Sequence, residues 1–176
     1  GAGRGCQHLV FLTSGTGMGA GIILNGQLYE GASGDAGEVG HVRLAAEGPV
    51  GFGKAGLFEG FCSGGCIARL AELYVHRATA ATPGWFSPET KISTHQIADA
   101  AKAGDPLARE IMHEAGRRLG AALAIIVDLL NPERIVIGGV YPPCREVLEP
   151  ALYASPHQEA LPHSVAACRL LPGELG

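Results

Sequence analysis

One run constrains this chain more than any other: Thr13-Ser14-Gly15-Thr16-Gly17-Met18-Gly19-Ala20-Gly21, with glycine at every second position from 15 to 21. Alternating glycines let backbone N–H groups turn inward and approach an anion closely. Thr13, Ser14 and Thr16 add hydroxyl donors. Two common phosphate-binding designs are excluded by context. A P-loop ends in Gly-Lys-Ser/Thr, and this run has no lysine. The spacing of Gly15, Gly17 and Ala20 fits a loose dinucleotide fingerprint, but that fingerprint opens a helix. Here Ile22-Ile23-Leu24 follows, a short apolar strand, and then Asn25-Gly26, a type I′ hairpin signal. Leu9–Thr13 and Gln27–Glu30 read as the neighbouring strands, with Ser14–Gly21 as the turn. The opening is thus an antiparallel meander. Taken alone, its turn is either a phosphate site or a structural glycine hairpin.

A length of 176 residues suits one domain or one large lobe. With 47% hydrophobic and 17% charged residues, a packed core is expected. The net charge is -4 and there is no basic run, which argues against nucleic-acid binding through this lobe. That leaves a separate helix-turn-helix module untouched. Five cysteines at irregular spacing make a poor disulfide framework, so reduced thiols and a cytoplasmic setting are expected. No apolar run has the length of a membrane span, and no signal peptide is visible.

Beyond the meander the pattern changes. Gly31–Lys54 reads as loop. Phe58–Arg77 carries helical periodicity through Ile67, Leu70, Leu73 and Tyr74. After a connector over Ala80–Ser93, Thr94 reads as the N-cap of a helix through Ala103. Asp105 caps a longer helix with Pro106 at its first position. That helix ends near Leu130, because Asn131-Pro132 forbids continuation. Arg134–Ile137 reads as a buried strand ending in Gly138-Gly139, Cys144–Tyr153 as a helix and Val165–Leu171 as a strand. Periodicity alone supports an α/β class.

A second candidate site lies at Gly37-Glu38-Val39-Gly40-His41. Carboxylate and imidazole groups recognise adjacent sugar hydroxyls by directed hydrogen bonds. Glu59 follows at the start of a helix, where the dipole favours a carboxylate. A solvated loop with a surface glutamate and an ordinary histidine is the plain alternative for such a motif in isolation.

Together these motifs resemble the ROK (repressor, ORF, kinase) family. The match runs through Thr-x-Gly-Thr-Gly-x-Gly, the hairpin and Ala-Gly-Glu-x-Gly-His. It continues at Phe58-Glu59, Cys62-Ser63-Gly64, Gly104-Asp105, Leu119-Gly120, Leu130-Asn131-Pro132-Glu133 and Ile137-Gly138-Gly139. The resemblance implies an actin-like, ribonuclease-H-like lobe, the C-terminal one of a sugar kinase. It implies that Thr13, Gly15, Thr16, Gly17 and Gly19 bind ATP phosphates, with Mg²⁺. It places Gly138 and Gly139 beside adenosine, and Glu38, His41 and Glu59 on the sugar. The implied activity is ATP-dependent phosphorylation of a hexose-type sugar. The alternative is the sugar-sensing lobe of a ROK repressor. Family members are often oligomers, so a homodimer is expected.

Two departures qualify the resemblance. Many ROK proteins hold zinc with the motif histidine and three cysteines of Cys-x-Cys-Gly-x-x-Gly-Cys-x-Glu. In Val50–Glu59 the cysteine places carry Val50, Phe52 and Leu57, which cannot ligate zinc. No zinc is expected; packing is expected to hold the loop and leave His41 free to face sugar. Second, the family's catalytic aspartate belongs to an Asn-Asp pair that would precede Gly1. No catalytic base is therefore assigned within these residues, and the 176 residues alone are expected to be inactive. A further terminal helix would follow Gly176.

Overall fold

A computed structural model describes residues 1–78 and 82–174. Its frame begins with a strand that alternates. In β1 (Leu9–Ser14), Val10, Leu12 and Ser14 are buried while Phe11 and Thr13 are exposed. This is the period of two of a strand covered on one face. β1 pairs antiparallel with β2 (Met18–Leu24), from Leu9↔Ile23 to Ser14↔Met18, and β2 pairs with β3 (Gln27–Leu28). Asn25 and Gly26 turn at φ 53° and 75°, both positive as a type I′ hairpin demands. A separate small hairpin follows, β4 (Val50–Gly51) with β5 (Lys54–Ala55). On its other edge β1 pairs parallel with β6 (Arg134–Ile137), which pairs parallel with β7 (Arg169–Pro172). The mixed sheet has the order β3-β2-β1-β6-β7.

The helices are α1 (Phe58–Cys62), α2 (Gly64–Arg77), α3 (Thr94–Lys102), α4 (Pro106–Leu130), α5 (Tyr141–Leu152), α6 (Ala154–Glu159) and α7 (Pro162–Ala167). α4 forms the spine of the core. Its buried stripe of Ile111, Met112, Ala115, Leu119, Leu123 and Ile126 joins one cluster with Val10, Leu12, Ile135 and Ile137 of the sheet. Apart from Ala115, each of these side chains contributes about 1.5–3 kcal/mol by leaving water. Asp105 Oδ1 accepts from the Ala108 amide, with Pro106 at the first helical position. At the far end Asn131 takes a left-handed conformation, φ 43°, and stops the helix before Pro132.

Several boundaries differ from the sequence expectation, each for a local reason. The turn after β1 is only Gly15-Thr16-Gly17, because β2 already begins at Met18 and carries Gly19 and Gly21 as paired strand residues. β3 ends at Leu28 rather than Glu30. The helix expected over Phe58–Arg77 breaks at Ser63, whose backbone is extended at φ -75°, ψ 151°. There Ser14 Oγ donates to the Cys62 carbonyl at 2.7 Å, and the Gly64 amide donates to Gly15 O at 2.8 Å. Contacts with the glycine turn thus take up two groups that a continuous helix would have used. Ser93, not Thr94, caps α3, in a capping box with Gln96. Thr94 Oγ1 instead donates to Gly64 O at 2.6 Å. α5 starts at Tyr141, since Pro142 and Pro143 fall in the first turn, where their missing N–H groups cost nothing. The strand expected over Val165–Leu171 divides into the end of α7 and β7, whose register Arg134↔Arg169 fixes where pairing starts. The start of the Ala80–Ser93 connector and the helix expected after Gly176 lie outside the described residues.

Candidate functional site

The glycine turn closes at the carboxyl end of β1. The Gly15 amide donates to Gly17 O at 3.1 Å. Thr13, Gly15 and Thr16 are exposed, and Gly17 and Gly19 are partly so. A Cβ on Gly15 would meet nothing within 4 Å, so this backbone faces open space. Behind it, the N-terminus of α2 abuts the turn through the Gly64–Gly15 hydrogen bond. Exposed amides and hydroxyls beside a helix N-terminus suit an anionic group such as a phosphate.

Gly138 and Gly139 reach the same place from β6. The Gly138 amide donates to Leu12 O at 2.9 Å and the Val140 amide to Ser14 O at 2.7 Å. Gly139 has φ 73°, and a Cβ there would sit 2.2 Å from Ser14 O. The glycine is thus demanded by close backbone contact as well as by its dihedral. Because β1 and β6 are parallel neighbours, both glycine segments lie at one carboxyl edge, where ligands of open α/β sheets bind.

The Glu-x-Gly-His segment docks onto β2. The Ala20 amide donates to Gly37 O at 2.7 Å, and Val39–His41 forms a 3₁₀ turn. A Cβ on Gly40 would lie 2.4 Å from Met18 O and 3.3 Å from Glu59 Cβ. This tight seat brings the turn against α1. Glu38 and His41 stand at its two ends, with Glu38 Oε2 3.8 Å from His41 Nε2. From α1, Glu59 Oε2 accepts from the Met18 amide at 3.1 Å. One half-buried carboxylate therefore binds the residue that follows the glycine turn and stands beside the Glu-x-Gly-His turn. Glu59 uses only one of its oxygens among the described residues.

The residues at the zinc-loop positions do not fit that metal. Val50, Phe52 and Leu57 offer no donor atom. Among the described residues no group of three or more His, Cys, Asp and Glu side chains could hold a metal ion. Packing accounts for only one of the three replacements: Leu57 is 2% exposed, whereas Val50 is 48% and Phe52 69%. The loop is closed by its backbone, with Leu44 and Ala45 amides donating to Gly56 O and the Phe58 amide to Val42 O. The sequence predicts a His41 free to face sugar; in the structure the imidazole has an aromatic neighbour. Its ring lies 4.3 Å from that of Phe52, tilted by 58°.

Sequence reasoning missed Met18, whose backbone amide rather than side chain meets Glu59. It also missed Phe52; the Phe52-Gly53 pair between β4 and β5 was the available turn signal. An apolar cavity of about 140 Å³, lined in part by Leu123, Val127, Leu152 and Val165, shares no residue with the site. No helix among the described residues is long and apolar enough to cross a membrane.

A mixed α/β sheet with glycine turns gathered at the carboxyl ends of its parallel strands defines an actin-like ATPase fold, the fold of the ROK sugar kinases. The chain belongs to the ROK family, whose model matches residues 1–165. It is 36% identical over 143 residues to a glucokinase of Halalkalibacterium halodurans, covering 79% of this chain and 43% of the relative. It is also 33% identical over 167 residues to the DNA-binding transcriptional dual regulator NagC of Escherichia coli, covering 92% of this chain and 39% of NagC. Among solved structures, a ROK family glucokinase from Streptomyces griseus in complex with glucose and AMPPNP superposes with a TM-score of 0.75 at 31% identity. That match covers 100% of this chain and 58% of the other. The chain thus spans about two fifths of the length of these two curated relatives.

Proposed function

We propose that this chain is the C-terminal lobe of an ATP-dependent hexose kinase, supplying the phosphate loop and the sugar-binding side chains. The observation that carries the reading is the Glu59–Met18 hydrogen bond, because it ties the sugar-side carboxylate to the phosphate-side turn. Thr13, Gly15, Thr16, Gly17 and Gly19 would hold ATP phosphates through backbone amides and hydroxyls. Gly138 and Gly139 would let the nucleotide lie close to the β6 backbone. Glu38, His41 and Glu59 would accept from and donate to sugar hydroxyls. Mg²⁺, when bound with ATP, would neutralise charge on the transferring phosphoryl group.

The base that takes the hydroxyl proton is assigned outside these residues. Asp128 is occupied by the Leu161 amide at 3.0 Å, and Asp35 is held by Ser33 in an exposed loop. This chain then positions substrates, and the chemistry needs a second lobe. A cytoplasmic homodimer is the assembly expected of such a kinase.

The second reading, a sugar-sensing lobe of a ROK transcriptional regulator, is favoured by the NagC match over 92% of the chain. Calorimetry and an activity assay separate the two. As a kinase lobe, the chain should bind both glucose and AMPPNP, and the whole protein should phosphorylate glucose. Glucose binding without AMPPNP binding would favour the sensor. Rapid sugar phosphorylation by the 176 residues alone would overturn the assignment of the base.

A further inference from the structure

Phe52 is placed where folding gives it no reason to be. It occupies the first central position of the two-residue turn between β4 and β5, at φ 46°, with Gly53 at φ 73°. A bulky side chain at positive φ is strained, and asparagine or glycine would form this turn more easily. Burial does not offset that strain, because the ring is 69% exposed. What the ring does touch is His41, at 4.3 Å between centroids and 58° between planes. On the imidazole's other partner, Glu38 Oε2 stands 3.8 Å from Nε2. The imidazole thus has a carboxylate beyond hydrogen-bond distance of one nitrogen and a tilted aromatic ring packed beside it.

We infer that Phe52 is a positioning residue for His41: its ring fixes the imidazole rotamer. A flexible histidine would have to be ordered each time a ligand binds. An aromatic neighbour lowers that entropic cost in advance. The effect on sugar affinity rests on the sugar-site reading above, whereas the effect on His41 does not.

Two substitutions in the 176-residue chain test this. Phe52→Gly removes the ring but suits φ 46°, so the turn keeps its geometry. Phe52→Tyr keeps the ring. The readouts are the His41 χ1 rotamer populations from NMR three-bond couplings, the melting temperature, and glucose binding by calorimetry. F52G should spread His41 over several χ1 rotamers where the parent holds one, and weaken glucose binding about three- to tenfold, the scale of ordering one side chain. Its melting temperature should be unchanged or higher, and F52Y should match the parent. The inference is overturned if His41 in F52G keeps the single rotamer of the parent. It is equally overturned if F52G binds glucose as tightly as the parent while H41A does not. If the parent binds no glucose, the sugar-site reading fails, and the NMR comparison still decides whether Phe52 positions His41.

Discussion

Glu59 Oε2 accepts a hydrogen bond from the Met18 amide at 3.1 Å, so a carboxylate from α1 is fixed to the residue that follows the glycine turn. The contact carries both stability and orientation. Replacing Glu59 with alanine should cost about 1 kcal/mol of folding stability, the usual worth of one hydrogen bond. On the proposed sugar-binding role of Glu59, glucose affinity should fall about tenfold or more, because charge-assisted hydrogen bonds to hydroxyls contribute more than neutral ones. Gly17→Ala should have a milder effect of the same kind, since its Cβ would lie 3.0 Å from Glu59 Oε2 and shift the carboxylate. Urea midpoints and calorimetric titrations check the two effects separately.

Gly139→Ala should be far more damaging than an ordinary turn substitution. The backbone at φ 73° disfavours any Cβ, and this one would lie 2.2 Å from the Ser14 carbonyl oxygen. Strain and clash together should cost at least about 2 kcal/mol. For a chain of this size that lowers the melting temperature by about 4–8 °C. Gly15→Ala, whose Cβ would meet nothing within 4 Å, is the matched control and should melt close to the parent.

α4 and α5 meet across two glycines one helical turn apart. A Cβ on Gly116 would lie 2.4 Å from Leu148 O, and one on Gly120 2.4 Å from Leu152 O. Alanine raises helix propensity by about 1 kcal/mol over glycine. Here packing should win, because the obstructing atoms are backbone carbonyls that cannot step aside cheaply. G116A and G120A should each be net destabilising by about 1–3 kcal/mol. Chemical denaturation of the single variants gives the sign directly.

Glu133 ties the entrance of β1 to the entrance of β6. Its carboxylate accepts from the His8 amide at 2.9 Å and the Gln7 amide at 2.8 Å, and these bonds, His8 first, hold its pKa below the ordinary value of 4.5. The folded value is depressed, so its contribution is present above about pH 4.5 and is lost as pH falls through the folded value. Glu133→Gln should therefore flatten the acid limb of the stability curve. Parent and variant should differ most near neutral pH and converge in strong acid, as read from urea midpoints across pH.

Burial pushes the thiols of Cys144 and Cys168 up to about 11, and raises that of Cys62 well above its ordinary value. A raised value leaves the unreactive thiol form dominant at neutral pH. At pH 8, iodoacetamide should modify these three slowly in the folded chain and rapidly in denaturant. Peptide mapping by mass spectrometry distinguishes them from Cys6.

Much of the frame is legible in the chain itself. Alternation marks β1, Asn25-Gly26 marks the hairpin, and Asp105-Pro106 with Asn131-Pro132 brackets α4, because these signals act through the backbone of neighbouring residues. The ordered motifs also single out Glu38, His41 and Glu59 as candidates, although they lie on different elements. Other features depend on partners distant in sequence. Helix 58–77 breaks at Ser63 because Ser14 and Gly15 compete for its backbone groups. β7 begins at Arg169 because β6 sets the register. Glu59 meets the Met18 amide, and His41 meets Phe52, only once the loops are docked. Local propensity is written within a few residues. Contacts between side chains and distant backbone are decided by packing, which no single segment contains.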